Sequence, residues 1–342
     1  MLRSLVGSEM CIRDREITVR KWISGAAFAA FAAVAAAPAC AQSAPLDGAL
    51  TIVVGYPPGG SSDRIARLVA DRLKDRLGVT VVVENKTGAG GRIAAQGLHA
   101  LAARQNVLML ANPAVMVVAP LVYAEPGYDA RRDFKPVSLV SRYKFALAVP
   151  ASSSIRDVAG LRQWLQEHPR QFTVGVPATG SLPHFFALML GREIGQEPEV
   201  VGYRGSAPLI SELIGGILPQ AVDTLDTLLP QHRAGKIRIL ATSGDARDAD
   251  LADVPTFREA GVNLAADGWN AFFASSSMAP AKAERLGADI AALMREPAMQ
   301  QAVRESYLEP VSADVAATTG ELDAYRKQWE PVVRASGFTA TQ

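Results

Sequence analysis

Short apolar runs that end in glycine- and proline-rich turns recur along the chain. The first run, Leu50–Val54, consists of apolar and β-branched residues and is typical of a buried parallel strand. Two prolines at 57–58 end this run, and two glycines at 59–60 form a turn that tolerates positive φ. Apolar residues then recur at helical spacing, and a residue among 61–63 can cap the helix. The segment therefore predicts a strand, a glycine turn and a helix N-terminus whose free amides favour an anion.

The same alternation of strand, small-residue turn and helix continues in both halves of the chain. Further strands are expected at residues 79–84, 107–110, 137–140, 145–149, 172–176, 199–202, 221–223 and 237–242. Strands that alternate with helices predict a parallel sheet, in which ligands bind at the carboxyl ends of the strands. The tail at residues 281–338 is mostly helical and lacks a strand series of its own, so we expect it to pack on the first domain.

This organisation predicts an α/β protein of two domains with a ligand cleft between them. The first domain is expected to be discontinuous and to comprise residues 46–144 and 268–342. The second domain is expected to comprise residues 145–267. The chain crosses near Phe145 and returns near Trp269, and two such crossings form a natural hinge.

Residues 1–41 are not expected to belong to the fold. Arg20 and Lys21, followed by an alanine-rich apolar run at 23–37, are typical of a signal peptide, and residues 39–41 fit its cleavage pattern. Residues 1–15 do not suit a signal peptide and resemble translated adapter sequence. A lipid anchor at Cys40 is the alternative, although the segment lacks the leucine usual in such anchors. We therefore predict export to the periplasm.

Composition and cysteine usage exclude several classes of function. The 342 residues carry a net charge of +1 and no dense Lys/Arg run, which argues against nucleic-acid binding. Cys11 and Cys40 both precede the expected mature N-terminus, so the mature chain has no thiolate metal site, cysteine nucleophile or disulfide. The 4 histidines lack the spacing of metal ligands, and neither a dinucleotide fingerprint nor a Walker-type pattern occurs. We therefore expect neither a metal nor a cofactor.

Ser181 and His184 raise the alternative of a serine hydrolase. A nucleophile elbow requires the pattern Gly-x-Ser-x-Gly, and no such pentapeptide occurs in the chain. We therefore expect no catalytic residue, and we expect His184 to pack or cap at a helix start. Asp223 follows an apolar strand and is either a cleft residue or a structural acceptor that fixes a neighbouring loop.

Five ordered motifs resemble the tripartite tricarboxylate transporter substrate-binding proteins, the TctC/Bug family of periplasmic solute receptors. The motifs begin at residues 52 (IVVGYPPGG), 83 (VENKTGAGG), 203 (YRGSAP), 234 (AGK) and 253 (DVPT). The resemblance covers the chain from Leu50 to its C-terminus. It implies a two-domain periplasmic-binding-protein fold of type II, the Venus-flytrap fold. It also implies a small organic carboxylate held mainly by backbone amides of two cleft loops, with bridging waters.

The resemblance assigns the cleft loops to residues 58–62 and 179–184 of this chain. Leu182 and Pro183 depart from the family pattern, as do Val222 in place of an aromatic residue and the run 111–113 in place of a Gly/Ser/Thr-rich loop. These departures bear on the identity of the ligand more than on the fold. The predicted ligand-binding residues are Tyr56, Pro58, Gly59, Gly60, Ser61, Ser62, Gly90, Asn112, Thr179, Gly180, Ser181, His184, Tyr203, Gly205, Ser206 and Asp223.

We therefore predict a monomeric periplasmic receptor that captures a small organic carboxylate for the membrane subunits of a tripartite transporter. The alternative from another class is an extracytoplasmic sensor subunit that presents its ligand to a signalling partner. Replacing Gly59 with valine is expected to abolish binding by blocking the approach of the ligand to the amides. In a pocket of backbone amides and waters, few side chains determine specificity, so the sequence does not specify which carboxylate is bound.

Overall fold

The structure is a computed structural model that describes residues 46–100, 105–169, 171–335 and 337–340. The predicted signal peptide and both cysteines lie outside the described residues. Within the described part of the chain, ten strands form one mixed sheet. The strands are β1 Leu50–Val54, β2 Val81–Asn85, β3 Val107–Ala111, β4 Phe134–Pro150, β5 Thr173–Val176, β6 Glu199–Gly202, β7 Gln220–Thr224, β8 Ile237–Thr242, β9 Asp267–Ser275 and β10 Glu309–Pro310.

Ten α-helices connect or cover these strands in the described residues. They are α1 Ser61–Leu77, α2 Arg92–His99, α3 Ala119–Val122, α4 Val158–Glu167, α5 Leu182–Ile194, α6 Ser206–Ile214, α7 Leu225–Arg233, α8 Pro280–Arg295, α9 Pro297–Glu305 and α10 Val315–Ala335. A π-helical turn at Ala114–Val118 runs directly into α3. None of the helices among the described residues is both long and apolar enough to cross a bilayer.

The sheet contains the expected parallel pairs and also antiparallel pairs that the sequence analysis did not foresee. The order is β2-β1-β3-β9-β4-β7-β5-β6, with β8 and β10 also paired to β4. Strand β1 is parallel to both β2 and β3, and β5 is parallel to both β6 and β7. By contrast, β9 runs antiparallel to β3 and β4. The long strand β4 is a correction, because two separate strands were expected where a single strand of 17 residues runs. Its polar residues 141–144 interrupt the apolar pattern but still pair with β9.

Strand β4 changes partners partway along its length. Through Lys144 it pairs with β9, and from Phe145 onward it pairs with β7 and β8. We call β1–β3, β9, β10 and the first part of β4 the first sheet region. The second sheet region comprises β5–β8 and the end of β4. The partners change at the point where we expected the chain to cross, and the division into two domains remains a prediction.

Aromatic residues fix the helical tail on the first sheet region. The Tyr325 ring of α10 lies 5.8 Å from the ring of Trp269 on β9 and 5.5 Å from the ring of Trp329, measured between centroids. All three side chains are buried, and full burial of a large apolar side chain contributes about 1.5–3 kcal/mol. A smaller apolar cluster lies under α6 and α7 and includes Leu209, Leu213, Leu225, Leu228 and Leu229. The two sheet regions therefore both bury apolar side chains beneath their own helices.

Candidate ligand-binding site

Four turns that follow strands β1, β2, β5 and β6 come together, two from each sheet region. A Cβ atom placed on Gly205 would lie 3.2 Å from the Cγ atom of Pro57, so the turns after β6 and β1 are in contact. A Cβ atom placed on Gly90 would lie 3.7 Å from the carbonyl oxygen of Thr179, so the turns after β2 and β5 are also in contact. We use the name crevice for the place where these four turns, residues 56–62, 88–92, 177–184 and 203–206, meet. Most of the predicted site residues belong to these turns.

Asp63 folds the turn between β1 and α1. Its Oδ2 atom accepts a hydrogen bond from the amide of Gly59 at 2.9 Å, and its Oδ1 atom accepts one from Asn85 at 2.9 Å. Arg67 also donates to both carboxylate oxygens. Burial favours a higher pKa, but the hydrogen bonds from Arg67, Gly59 and Asn85 outweigh it and lower the pKa of Asp63. Asp63 is therefore a fixed anion that holds the turn, and the helix N-cap is Gly60 instead of a residue among 61–63.

The free amides of this turn begin two positions after Gly59, at Ser61. The first intrahelical bond runs from the amide of Arg64 to the carbonyl of Gly60 at 3.0 Å, so the amides of Ser61, Ser62 and Asp63 have no acceptor within the helix. The amide of Gly59 is already occupied by Asp63. The turn can therefore offer an anion the donors of the first helical turn, whereas Gly59 supplies the positive φ of +88° that shapes it.

Tyr56 joins two other predicted residues. Its hydroxyl oxygen lies 3.1 Å from the carbonyl oxygen of Gly90 and 3.1 Å from Oδ1 of Asn112, and its single proton serves one acceptor at a time. Asn112 also accepts a hydrogen bond from the amide of Ala114. Burial raises the pKa of Tyr56 to about 12, so the hydroxyl stays a neutral donor. These bonds hold the turn after β2 against the end of β3.

Ser62 is tied to the sheet through a residue that the sequence analysis missed. Its hydroxyl donates to Oδ1 of Asn270 on β9 at 2.7 Å, and Asn270 donates to the hydroxyl of Ser141 on β4 at 3.1 Å. All three side chains are buried. The polar Asn270 inside the apolar run of β9 was the available signal. The Ser62 side chain therefore anchors α1, and its amide is the group left for a ligand.

His184 folds the turn between β5 and α5. Its Nδ1 atom accepts a hydrogen bond from the amide of Gly180 at 2.9 Å, and the hydroxyl of Ser181 accepts one from the amide of His184. Burial lowers the pKa of His184 to about 4, so the ring is neutral and carries its proton on Nε2. The ring therefore engages Gly180 and not the Ser181 hydroxyl. Ser181 is the N-cap of α5.

The turn after β6 lies against the turn after β5. The amide of Gly205 donates to the carbonyl of Pro177 at 2.8 Å, with the Gly205 φ at +105°. The hydroxyl of Tyr203 donates to Glu212 on α6 at 2.5 Å, so the tip of the ring is directed at that helix. Burial raises the pKa of Tyr203 to about 12, and Glu212 adds to the effect.

Asp223 is a buried carboxyl group at the end of β7. Burial raises its pKa to about 7, while Ser206 and the amide of Thr224 act in the opposite direction. The hydrogen bond from the amide of Thr224 to Oδ1 of Asp223 measures 2.7 Å. Asp223 thus lies beside Ser206. This position is compatible with a cleft residue that contacts the ligand and with a structural acceptor that fixes a neighbouring loop.

An ion pair that the sequence analysis did not anticipate joins the two sheet regions at the crevice. Arg64 on α1 donates through Nη2 to Oδ2 of Asp226 on α7, and through Nη1 to the carbonyl of Gly59 at 2.8 Å. The Asp226 side chain is fully buried, and the Arg64 side chain is 30% exposed. No sequence pattern links these residues, since they stand 162 positions apart.

Other features of the described surface lie away from the crevice. One groove of about 450 Å³ lies between α5 and α10, and another of about 630 Å³ lies beside residues 142–144 of β4. Neither groove is lined by a predicted site residue. In the described part of the chain, no group of three or more His, Cys, Asp or Glu side chains is arranged to hold a metal ion.

Comparison with known proteins agrees with the motifs. Residues 65–338 match the sequence profile of TctC, described as the tripartite tricarboxylate transporter family receptor. The chain is 28% identical over 304 residues to Protein BugT of Bordetella pertussis, which covers 88% of this chain and 93% of BugT. It is 30% identical to the R. palustris protein Rpa4515, solved with adipate, with a TM-score of 0.81 over 85% of this chain and 97% of that protein.

A further solved structure fixes the fold. The periplasmic binding protein BugD is 24% identical and superimposes with a TM-score of 0.80 over 86% of this chain and 99% of BugD. The α/β fold of periplasmic binding proteins, expected from the resemblance, is therefore confirmed. Together with the match over residues 65–338, this establishes that the chain belongs to the tripartite tricarboxylate transporter receptor (TctC) family.

Proposed function

We propose that this protein is a periplasmic receptor that binds a small organic carboxylate in the crevice and delivers it to the membrane subunits of a tripartite transporter. The observation that carries the proposal is the meeting of the glycine turns from both sheet regions, Pro57 against Gly205 and Gly90 against Thr179. A ligand held between these turns is gripped from both sides.

Backbone amides supply the donors for the carboxylate. The first turn of α1 offers the amides of Ser61, Ser62 and Asp63, and the start of α5 offers the amide of Leu182. A hydrogen bond to a charged group contributes about 1.5–3 kcal/mol. Four to six such donors, less the ordering cost of closure, are enough for a micromolar Kd, which corresponds to about −8 kcal/mol.

The nature of the ligand class is supported by a relative. Adipate, a dicarboxylate, is the ligand named for the R. palustris protein that is 30% identical to this chain. We carry over the class, a small organic carboxylate, and not the individual compound. Each predicted site residue remains part of the proposal, with the amides of Ser61 and Ser62 closest to an anion-binding role.

A binding function fits the geometry better than hydrolysis. The His184 ring accepts from the Gly180 amide at 2.9 Å and does not contact the Ser181 hydroxyl, which caps α5. A hydrolase would need the ring to take the serine proton. We therefore propose a receptor without catalytic activity, exported through its signal peptide as a monomer, with an anchor at Cys40 as the alternative.

Ligand screening of the exported protein tests the proposal. We expect at least one member of a panel of mono-, di- and tricarboxylates to raise the melting temperature, because binding stabilises the folded state by mass action. Isothermal titration calorimetry then gives the Kd. A panel without any stabilising carboxylate, or ester turnover that a Ser181→Ala variant loses, would refute the receptor function. Capture of a signalling protein in place of transporter subunits would favour the sensor alternative.

A further inference from the structure

The end of the chain crosses between the two sheet regions next to the crevice. Residues 337–340, which we call the strap, come just after α10 on the first sheet region. The ring of Phe338 lies 4.8 Å from the ring of His184 on α5, measured between centroids. The amide of Ala340 then donates to the carbonyl of Val122, the last residue of α3, at 3.0 Å. The strap is therefore attached to α5 in the second sheet region and to α3, which follows β3, in the first.

The contact between Phe338 and α5 has a defined ring geometry. The planes of the Phe338 and His184 rings are inclined at 79°, and the Phe338 ring lies 5.4 Å from the ring of Phe185 at 89°. Both pairs are edge-to-face, an arrangement that aromatic rings prefer. Phe338 is half-buried and packs against the main apolar core. It therefore covers two neighbouring aromatic side chains in the first turn of α5.

His184 connects the strap to the crevice. Its Nδ1 atom accepts the amide of Gly180 at 2.9 Å, and Gly180 has a φ of +76° within the turn before α5. This bond requires a neutral ring, because both nitrogens of a protonated imidazole are donors. Burial lowers the pKa of His184 to about 4, and the Phe338 ring contributes to that burial. A more exposed ring would take up a proton in mildly acidic solution and release the Gly180 amide.

The first sheet region reaches the same turn beside the strap. Tyr123 directly follows Val122, and its hydroxyl lies 3.2 Å from the position that a Cβ atom on Gly180 would occupy. The Arg92 guanidinium carbon lies 3.5 Å from the centroid of the Tyr123 ring, so Tyr123 and Arg92 are ionisable groups of the first sheet region that adjoin this turn. If the sheet regions separate, α5 moves away from α3, and the strap must give up one of its two attachments. The strap therefore favours the closed arrangement.

We propose that Phe338 is a positioning residue for the ligand site: the strap holds α5 against the first sheet region and, through His184, keeps the Gly180 turn in its binding arrangement; this rests on the proposed receptor function. A short segment at a chain end has few contacts, so it can detach without unfolding of the protein. The affinity for the ligand then depends on the fraction of molecules in which the strap is attached, because the apparent affinity scales with the population of the binding-competent state.

Variants of the exported full-length chain test the proposal. Phe338→Ala removes the ring, Phe338→Leu keeps an apolar cover as the conservative rescue, and Thr339→Ala at an exposed neighbouring position is the matched control. The first readout is an NMR titration of His184, whose signals are assigned by their loss in His184→Asn. The second is the distance between spin labels at Asp75→Cys on α1 and Glu193→Cys on α5, both exposed.

The ligand-free proteins should differ in both readouts. We expect Phe338→Ala to raise the pKa of His184 from about 4 toward the ordinary histidine value of 6.5 and to broaden the distance distribution. Phe338→Leu should stay closer to the wild type, and Thr339→Ala should match it. A residue that contributed to packing alone would lower the melting temperature without moving the His184 titration.

Calorimetry with adipate measures the consequence for binding. Adipate is the ligand named for the R. palustris protein that is 30% identical to this chain, and the carboxylate that most stabilises the wild type replaces it if adipate does not bind. We expect Phe338→Ala to weaken binding about three- to tenfold at about pH 7.5, and by a larger factor at about pH 5.5, where its His184 is protonated. The ratio of the variant Kd to the wild-type Kd at each pH removes the contribution of Asp223, which titrates in both proteins.

Several results would overturn the inference. An unchanged His184 pKa or an unchanged distance distribution in Phe338→Ala would do so, as would a loss of affinity that is equal at both pH values or equally large in Thr339→Ala. Wild-type protein that binds no carboxylate would instead refute the receptor function. The NMR and distance measurements on the ligand-free proteins would still decide whether the strap holds the Gly180 turn.

Discussion

The guanidinium of Arg64 in the first turn of α1 pairs with the carboxylate of Asp226 in the first turn of α7, across the crevice. The two helices pack on different sheet regions, so the ion pair stabilises the arrangement in which the turns meet. Burial raises the pKa of Asp226, and the nearby Arg64 charge opposes that rise. If the sheet regions separate, both groups return to water. The ion pair therefore stabilises only the closed arrangement, in which the turns meet.

Removal of Arg64 should therefore favour separation of the two sheet regions. We expect Arg64→Met to destabilise the closed arrangement by about 1–3 kcal/mol, less than for a fully buried pair because Arg64 is 30% exposed. The expected mature chain has no cysteine, so spin labels at Asp75→Cys and Glu193→Cys, both exposed, report the distance between α1 and α5. We expect this distance to lengthen or broaden in Arg64→Met.

The double variant Arg64→Met with Asp226→Leu is the matched control for that experiment. Replacing both members of a buried pair with apolar residues removes the unpaired carboxylate and is often close to neutral. The double variant should therefore recover most of the wild-type distance distribution. Equal distances in the wild type and Arg64→Met would show that the pair does not hold the crevice closed.

The hydrogen bond from the Gly180 amide to His184 gives a second prediction. His184→Ala leaves a buried amide without its acceptor, which costs about 1–3 kcal/mol, whereas the Oδ1 atom of Asn in His184→Asn can accept the same bond. We expect the order of the melting temperatures to be wild type, His184→Asn and then His184→Ala. Equal melting temperatures for the two variants would mean that the Gly180 bond contributes little.

The pH dependence of stability checks the protonation state of His184. Its folded pKa of about 4 lies below the ordinary histidine pKa of 6.5, so the unfolded chain binds the proton more readily between these values. The stability that His184 contributes is therefore complete above pH 6.5 and is lost as the pH falls toward 4. We expect His184→Asn to lack this loss when urea unfolding is measured across the same range. A loss of equal size in both proteins would place the titration elsewhere.

Local sequence patterns predicted the strands and helices, but they did not predict the contacts between distant segments of the chain. The run from Leu50 to Ser61 predicted its strand, turn and helix because those features depend on neighbouring residues. The Arg64–Asp226 and Ser62–Asn270 pairs span 162 and 208 positions, and a single sequence carries no signal for pairings of that kind. Asp63 was expected to be a possible cap. Its donors Gly59 and Arg67 are local, but the bond from Asn85 forms only where β2 lies beside β1.

The structure gives a different reason for the expected loss of binding when Gly59 is replaced with valine. A Cβ atom there would meet no atom within 4 Å, while the φ of +88° is strained for any other residue. Strain of this kind costs about 1–3 kcal/mol. It would also displace the Gly59 amide, which donates a hydrogen bond to Asp63. We therefore expect Gly59→Ala and Gly59→Val to weaken carboxylate binding to a similar degree by calorimetry. A variant series in which only valine acts would instead support direct blocking of the ligand.

The raised pKa of Asp223 predicts an opposite pH effect from that of His184. Its folded pKa of about 7 lies above the ordinary aspartate pKa of 3.8, mainly because of burial. Asp226 contributes in the same direction, and Arg64 opposes it. The folded protein therefore holds this proton more tightly between pH 4 and 7, and the stability from Asp223 declines as the pH rises through that range.

Asp223→Asn keeps an acceptor for the Thr224 amide without titrating. We expect the stability of the wild type relative to Asp223→Asn to fall from pH 4 to 7 in urea unfolding and to level off above pH 7. A flat difference would show that Asp223 is ionised throughout, with a normal pKa, and that solvent or a ligand reaches it in the folded protein.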